Sequence, residues 1–374
     1  MKANAAILDT TGAPPPYAQS RPLTIAEVEL APPGPGEVLV KIAAAGLCHS
    51  DLSVIDGNRP RPTPMALGHE AAGVVLEVGA GVTRFAPGDH VVMVFVPSCG
   101  HCAFCARGRP ALCEPGAAAN ASGALLGGGR RIRRQGHAIN HHLGVSAFAD
   151  HAVVSQQSLV RIDPAFDLTR AALFGCAVLT GVGAVVNTAR VPPGASVAVV
   201  GLGGVGLCAL LGAQLSGARQ IIAVDLAAAK LAFAKELGAT HCVNAGSPKA
   251  VEEIKDLSGG GVDFAFEMAG SVPALELAYF ITARGGTTVT SGLPHPERKL
   301  SLPAVSLVAE ERTLKGSYIG ACVPSVDLPH YMALHQQGKL PVERLLTHVL
   351  TLDEINAGFD RLAAGEAIRQ VIAL

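Results

Sequence analysis

The stretch "VAVVGLGGVGLCALLGAQLSGARQIIAVD", residues 197–225, leaves this chain little choice of fold. A short uncharged apolar run reads as a buried strand. Gly201, Gly203 and Gly206 follow in G-x-G-x-x-G spacing, then a buried helix, then a second strand that ends in Asp225. Strand, glycine turn, helix and acid-tipped strand within about 30 residues form the dinucleotide-binding unit of a doubly wound parallel sheet. The first glycine permits the turn. The second lets backbone approach a pyrophosphate, and the third lets helix and strand pack closely. Gly204 and Val205 open the helix, whose N-terminus faces the phosphates. A carboxylate at Asp225 accepts hydrogen bonds from both ribose hydroxyls and repels a 2′-phosphate, which favours NAD over NADP. Lys230 adds a ribose contact. No charge occurs from Val191 to Ala218, a span long enough for a membrane helix, but Pro192, Pro193 and the glycines argue against one.

Strand candidates continue around this unit. "HCVNA", "VDFAFEMAG" and "GGTTVTSGL" alternate with helical patterns such as "LAAAKLAFAKELGA", as a parallel α/β sheet requires. The first 175 or so residues differ. "GEVLVKIAAAGLC", "AAGVVLEVGAG" and "GDHVVMVFV" are short runs bounded by Gly or Pro, which predicts a mostly antiparallel, barrel-like domain. At 374 residues the chain has room for two domains. We place the first over 1–178 and the nucleotide domain over 179–319, with 320–374 returning to complete the first. "LDEINAGFDRLAAGEAIRQVIAL" reads as an amphipathic helix and a closing strand. Gly123 to His142 reads as a long irregular insertion. Its Arg130, Arg131, Arg133 and Arg134 suit a solvated loop or a subunit-contact arm. A formal net charge of -1 argues against nucleic-acid binding, and the N-terminus is unlike a signal peptide.

Nine cysteines without an export signal suggest a reducing, cytoplasmic setting, where clustered thiols bind metal more often than they form disulfides. "SCGHCAFCARGRPALC" brings Cys99, Cys102, Cys105 and Cys113 into one lobe, about residues 97–115. Four thiolates close a tetrahedral shell and suit a structural zinc. A catalytic zinc needs three protein ligands and an open position. Cys48 in "GLCHSDL", His69 in "ALGHEAAG" and Cys176 in "LFGCAVLTG" are candidates.

Taken together, "GLCHSD", "GHEAAG", the four-cysteine lobe, "GCAVLTG", "GLGGVG" and "IRQVI" resemble the zinc-dependent medium-chain alcohol dehydrogenases over essentially the whole chain. The length and the insertion resemble the dimeric branch that includes glutathione-dependent formaldehyde dehydrogenases. The resemblance implies a GroES-like catalytic domain joined to a Rossmann domain, two Zn²⁺ per chain, NAD, a homodimer and a small alcohol or aldehyde as substrate. It makes Cys48, His69 and Cys176 the catalytic ligands, with Asp51 on the second nitrogen of His69 and Glu70 behind the metal. Ser50 takes the alcohol proton, and His49 and Arg369 contact the pyrophosphate. "RTLKGSYIG", residues 312–320, matches a strand that pairs across the dimer. Phe95, Arg59, His142, Leu293 and Tyr318 line or approach the substrate pocket. Where many relatives end the proton relay in a histidine, this chain has Ser53. The arginine with which formaldehyde dehydrogenases hold the glutathione carboxylate is unmatched near Gly116. A thiol-adduct formaldehyde dehydrogenase and a non-catalytic NAD-binding protein are the alternative readings.

Overall fold

Glycine, proline and β-branched residues crowd the first third of the chain, and there the computed structural model, which describes residues 1–374, builds short paired strands. They are β1 (Lys2–Leu8), β2 (Leu23–Leu30), β3 (Glu37–Gly46), β4 (Met65–Ala66) and β5 (Ala71–Val78), then β6 (His90–Met93), β7 (Ile132–Arg134), β8 (His137–His141), β9 (His151–Ser155) and β10 (Leu159–Arg161). Strands β1, β2, β7, β8 and β4 close into a barrel. The expected irregular insertion is therefore partly a hairpin. Gln135 (φ 52°) and Gly136 (φ 80°) make a two-residue turn with both residues left-handed, and Arg134 pairs with His137 across it. Each of the four arginines has a partner, so they do not form a bare basic patch. Arg131 holds Glu37 (2.6 Å), Arg134 holds Asp9, Arg130 bonds Asn140 (2.9 Å), and Arg133 bonds the Gly136 carbonyl (3.1 Å).

The alternating pattern downstream gives six parallel strands: β11 (Ser196–Val200), β12 (Gln220–Asp225), β13 (His241–Asn244), β14 (Val262–Glu267), β15 (Thr282–Thr290) and β16 (Thr313–Gly316). Their order in the sheet is β13-β12-β11-β14-β15-β16. Strand β11 is buried at every position, as a strand covered on both faces must be. The uncharged span from Val191 contains β11, the glycine turn and the helix Gly204–Leu215, and no single helix is long and apolar enough to cross a membrane.

The chain then supplies β17 (Leu346–Leu350) and β18 (Arg369–Ala373), which join the order β10-β6-β5-β3-β18-β17, with β9 also on β3. Between these last strands, the helix Ile355–Ala364 follows a capping box of Thr351 and Glu354 and stops at Gly365 (φ 72°). It buries Phe359 edge-on against Phe148, with ring centroids 6.0 Å apart. Each such phenyl contributes about 1.5–3 kcal/mol by leaving water. The chain divides into two compact units, one of Met1–Cys176, Val323–Met332 and Val342–Leu374, and a second of Ala177–Cys322 and Ala333–Pro341. Residues 320–322 and 333–341 thus group with the nucleotide-type sheet, whereas the expectation assigned all of 320–374 to the first domain.

Candidate functional site: two thiolate-rich centres and a glycine turn

The four lobe sulfurs, Cys99, Cys102, Cys105 and Cys113, all lie within 4.8 Å of one another. None is in a disulfide. Backbone N–H groups turn toward them: Cys99 donates to the Cys113 Sγ (3.1 Å) and Cys102 to the Cys99 Sγ (3.3 Å). Four bare thiolates this close repel one another. A backbone hydrogen bond lowers Cys102 to about 6, while burial and neighbouring thiols push Cys105 up to about 12. A cation at the centre would let all four ionise, so the donor set fits a closed tetrahedral metal.

The second centre joins segments far apart in sequence. Cys48 follows β3 and stands just before the helix His49–Ile55, its thiol making no bond to the helix end. His69 lies between β4 and β5, and Cys176 is the last residue of the 1–176 segment of the first unit. The ligand atoms of Cys48, His69, Glu70 and Cys176 lie within 4.8 Å of one another, and all four residues are buried. His69 Nδ1 is 3.0 Å from Asp51 Oδ2, which leaves Nε2 for the sulfurs. That nitrogen is buried beside the Cys48 thiol and, like Nδ1, makes no hydrogen bond of standard geometry, which costs stability unless a further group meets it. Burial opposes charge on His69, but Asp51 and Cys48 outweigh it and raise its pKa well above the usual range. Hydrogen bonding with Cys176 holds the Cys48 thiol well below its ordinary value, and Cys176 rises in turn. Two thiols and an orphaned imidazole nitrogen fit a tetrahedral metal with one position open.

Gly68 sets His69 in place. Its φ is 93°, and a Cβ there would come within 2.5 Å of the Phe148 nitrogen. Its own N–H donates to Asp51 Oδ1 (3.1 Å). Behind the centre Arg369 pairs with Glu70 at 2.5 Å, both buried. Burial pushes the Glu70 carboxyl up to about 7, against the pull of Arg369.

The other expected residues divide. Ser50 is half-buried on the helix that carries Asp51, and His49 is exposed. The Ser53 hydroxyl donates to the His49 carbonyl (2.8 Å). Phe95 meets the His69 ring edge-on, with centroids 5.3 Å apart. Arg59 is half-buried, and its backbone N–H bonds the Ser53 carbonyl (2.7 Å). His142, expected to line or approach the pocket, is buried with Nδ1 3.0 Å from Asp51 Oδ1. Leu293 and Tyr318 belong to the second unit and are exposed. Sequence reading missed Arg61, whose positive charge adds to burial in lowering the His142 pKa. The "RPRP" run held the signal for it.

In the second unit β11 runs into Gly201, whose φ of 92° suits glycine. A Cβ on Gly206 would stand 1.8 Å from the Gly201 carbonyl oxygen, so helix and turn touch backbone to backbone. A Cβ on Gly203 would meet nothing within 4 Å. The open space therefore lies over the second glycine, where a phosphate would approach, and Gly204 and Val205 begin the helix beside it. Asp225 ends β12. Its Oδ2 accepts from the Leu202 N–H (2.7 Å) and its Oδ1 from the Ala227 N–H (2.9 Å), so the carboxylate is fixed. Lys230 is half-buried on the helix Ala228–Glu236.

Comparison with known proteins follows the same division. Residues 34–164 match the family model described as alcohol dehydrogenase GroES-like domain, and residues 204–336 match that described as zinc-binding dehydrogenase. An alcohol dehydrogenase zinc-binding domain protein from Burkholderia ambifaria is 35% identical, with a TM-score of 0.94, over 100% of this chain and 99% of its own. Benzyl alcohol dehydrogenase from Acinetobacter calcoaceticus is 32% identical, with a TM-score of 0.93, over the same shares. A structure from Sinorhizobium meliloti 1021, described as a zinc-binding dehydrogenase bound to NADP, is 25% identical (TM-score 0.79) over 100% of each chain.

Proposed function

The chain belongs to the zinc-dependent medium-chain alcohol dehydrogenase family, and from that premise we propose that it is an NAD-dependent alcohol dehydrogenase with two zinc ions per chain. The observation that carries the reading is the convergence of Cys48, Cys176 and the orphaned Nε2 of His69 on one buried point. Zinc held there supplies the Lewis acidity that lowers the pKa of an alcohol hydroxyl, and NAD supplies the hydride acceptor. The four-cysteine lobe holds the second zinc as a staple. Asp51 fixes the tautomer of His69, so that Nε2 faces the metal. Ser50 takes the hydroxyl proton. Asp225 receives the adenosine ribose, its carboxylate already oriented by the Leu202 and Ala227 amides.

The relay lacks a terminal histidine, because Ser53 is a hydroxyl already donating to a carbonyl, and the proton that Ser50 passes on leaves to water or to His49. Alcohol oxidation then rises toward alkaline pH. A rate that stays flat from roughly pH 6 to pH 9 overturns this, and Ser53→His raises the rate at pH 7 if it holds. Phe95 gives an apolar wall beside His69, which suits apolar primary and secondary alcohols. The Acinetobacter neighbour makes benzyl alcohol the first to test. A thiol-adduct substrate has less support: a Cβ on Gly116 would stand 1.9 Å from the Pro97 carbonyl oxygen, so no arginine fits at that position as the backbone lies.

We place the protein in the cytoplasm, where its nine free thiols stay reduced. The assembly is a homodimer through the open edge of β16; Val305 and Val308, on the helix that precedes it in sequence, are 72% and 81% exposed. The test of function is NADH formation on a panel of alcohols, with NADP in parallel and zinc assayed on the same sample. Turnover with NAD at about two zincs per chain is expected. No turnover on any alcohol, at full zinc and with NAD bound, shifts the assignment to a thiol-adduct enzyme or a non-catalytic protein.

A further inference from the structure

We propose that His142 is a positioning residue of the metal centre, holding the Asp51 carboxylate in the orientation that fixes His69. The proposal rests on the reading of Cys48, His69 and Cys176 as metal ligands. It starts from strand pairing. Strands β4 and β8 run parallel, with Ala66 opposite His141. One residue past β8 is His142, and three past β4 is His69, so the two leave the barrel side by side. The His142 backbone is tied down as well: its N–H donates to the Ser146 hydroxyl (3.0 Å) and also reaches the Ala66 carbonyl (3.2 Å).

Both rings then converge on one carboxylate. Asp51 Oδ2 lies 3.0 Å from His69 Nδ1, and Oδ1 lies 3.0 Å from His142 Nδ1. The Gly68 N–H donates to Oδ1 (3.1 Å), while the two ring nitrogens approach the carboxylate at ion-pair distance. Asp51, His69 and His142 are all buried, so water does not substitute for a missing donor. His142 also touches His69 directly, ring edge to ring face, with centroids 5.5 Å apart at 87°. Phe95 makes a similar contact at 5.3 Å and 89°. A ring at position 142 therefore does two separable things: it walls in His69, and it pins the carboxylate that orients His69. Partners behind a metal-binding histidine typically change metal affinity by about 10–100-fold when removed.

Three substitutions separate the two roles. His142→Phe keeps the ring and loses Nδ1. His142→Asn places an amide nitrogen near the Nδ1 position, and His142→Gln places its amide near Nε2. The readout is the rate of zinc release to a colorimetric chelator from the full-length, zinc-loaded protein, with the four-thiol metal as internal reference. Release from the Cys48 centre is expected to be roughly 10-fold faster or more in H142F and H142Q, and to stay within about 2-fold of wild type in H142N. Cobalt substituted for zinc is expected to shift its visible bands in H142F and keep them in H142N. Equal release rates in all four proteins overturn the proposal and leave His142 as a wall. If H142F does not fold, the Asn and Gln pair decides alone. If wild type releases only the four-thiol metal, the centre itself is misread and the proposal falls with it.

Discussion

His141 and His142 are adjacent, both buried, and hold their protons in different ways. The His141 Nε2 accepts the Arg131 N–H (3.0 Å), so that nitrogen has to stay bare. Burial, then the charges of Arg130 and Arg131, push its pKa down to about 3. The folded value lies below the unfolded one, about 6.5. The unfolded chain therefore binds the extra proton between those values. The contribution of neutral His141 is complete above about pH 6.5 and is lost as pH falls, by about 1.4 kcal/mol per pH unit. His141→Gln, which keeps an acceptor for Arg131, is expected to flatten the acid limb of stability. Urea midpoints from pH 4.5 to 7 measure it, and parallel curves for the two proteins rule it out. At this scale the sequence shows candidate ligands better than their supports. Cys48, His69 and Cys176 are legible as candidates only together with the four-cysteine lobe and the glycine turn. The attachment of His142 to Asp51 depends on two strands pairing 75 residues apart, which no local spacing reveals.

Among the elements the glycine turn was the most legible, because its constraints are local. The structure also assigns different duties to its glycines. Gly206 is needed by the fold, since a methyl there meets the Gly201 oxygen at 1.8 Å. Gly203 has free space above it. Gly203→Ala is therefore expected to melt within a few degrees of wild type yet bind NAD at least about 10-fold more weakly. Gly206→Ala is expected to lose stability outright. Calorimetry and NAD titration on both variants check this, and equal NAD affinity in wild type and G203A overturns it. The hairpin of β7 and β8 was less legible. Its strands are short and charged, and the Gln-Gly turn lacks the Asn or Asp that usually marks a type I′ turn. The partners of Arg131 and Arg134 are Glu37 and Asp9, about 95 and 125 residues earlier, so half of the run reads as free when taken alone.

For the whole molecule, the exposed edge of β16 and the face around Val308 carry the expectation of a dimer. Val308→Asp places a charge on that face. Analytical ultracentrifugation is expected to give twice the 38.1 kDa chain mass for wild type and a single chain for V308D. A monomeric wild type at micromolar concentration sinks the idea. The unit boundaries have a different consequence, one for synthesis. Strand β3 is covered along one edge by β5, but its other edge is shared. Glu37–Lys41 pair with β9, while Ala44–Gly46 wait for β18. Gly46 and its partner Val371 are 325 positions apart. At roughly 5–20 residues per second, the ribosome takes about 15–65 s to deliver that partner. Throughout that interval the end of β3 that leads into Cys48 is an unpaired edge on a nascent chain. A chaperone that shields extended strands has a defined window and a defined target here, and stalled translation short of residue 369 leaves a strand edge ready to join another chain.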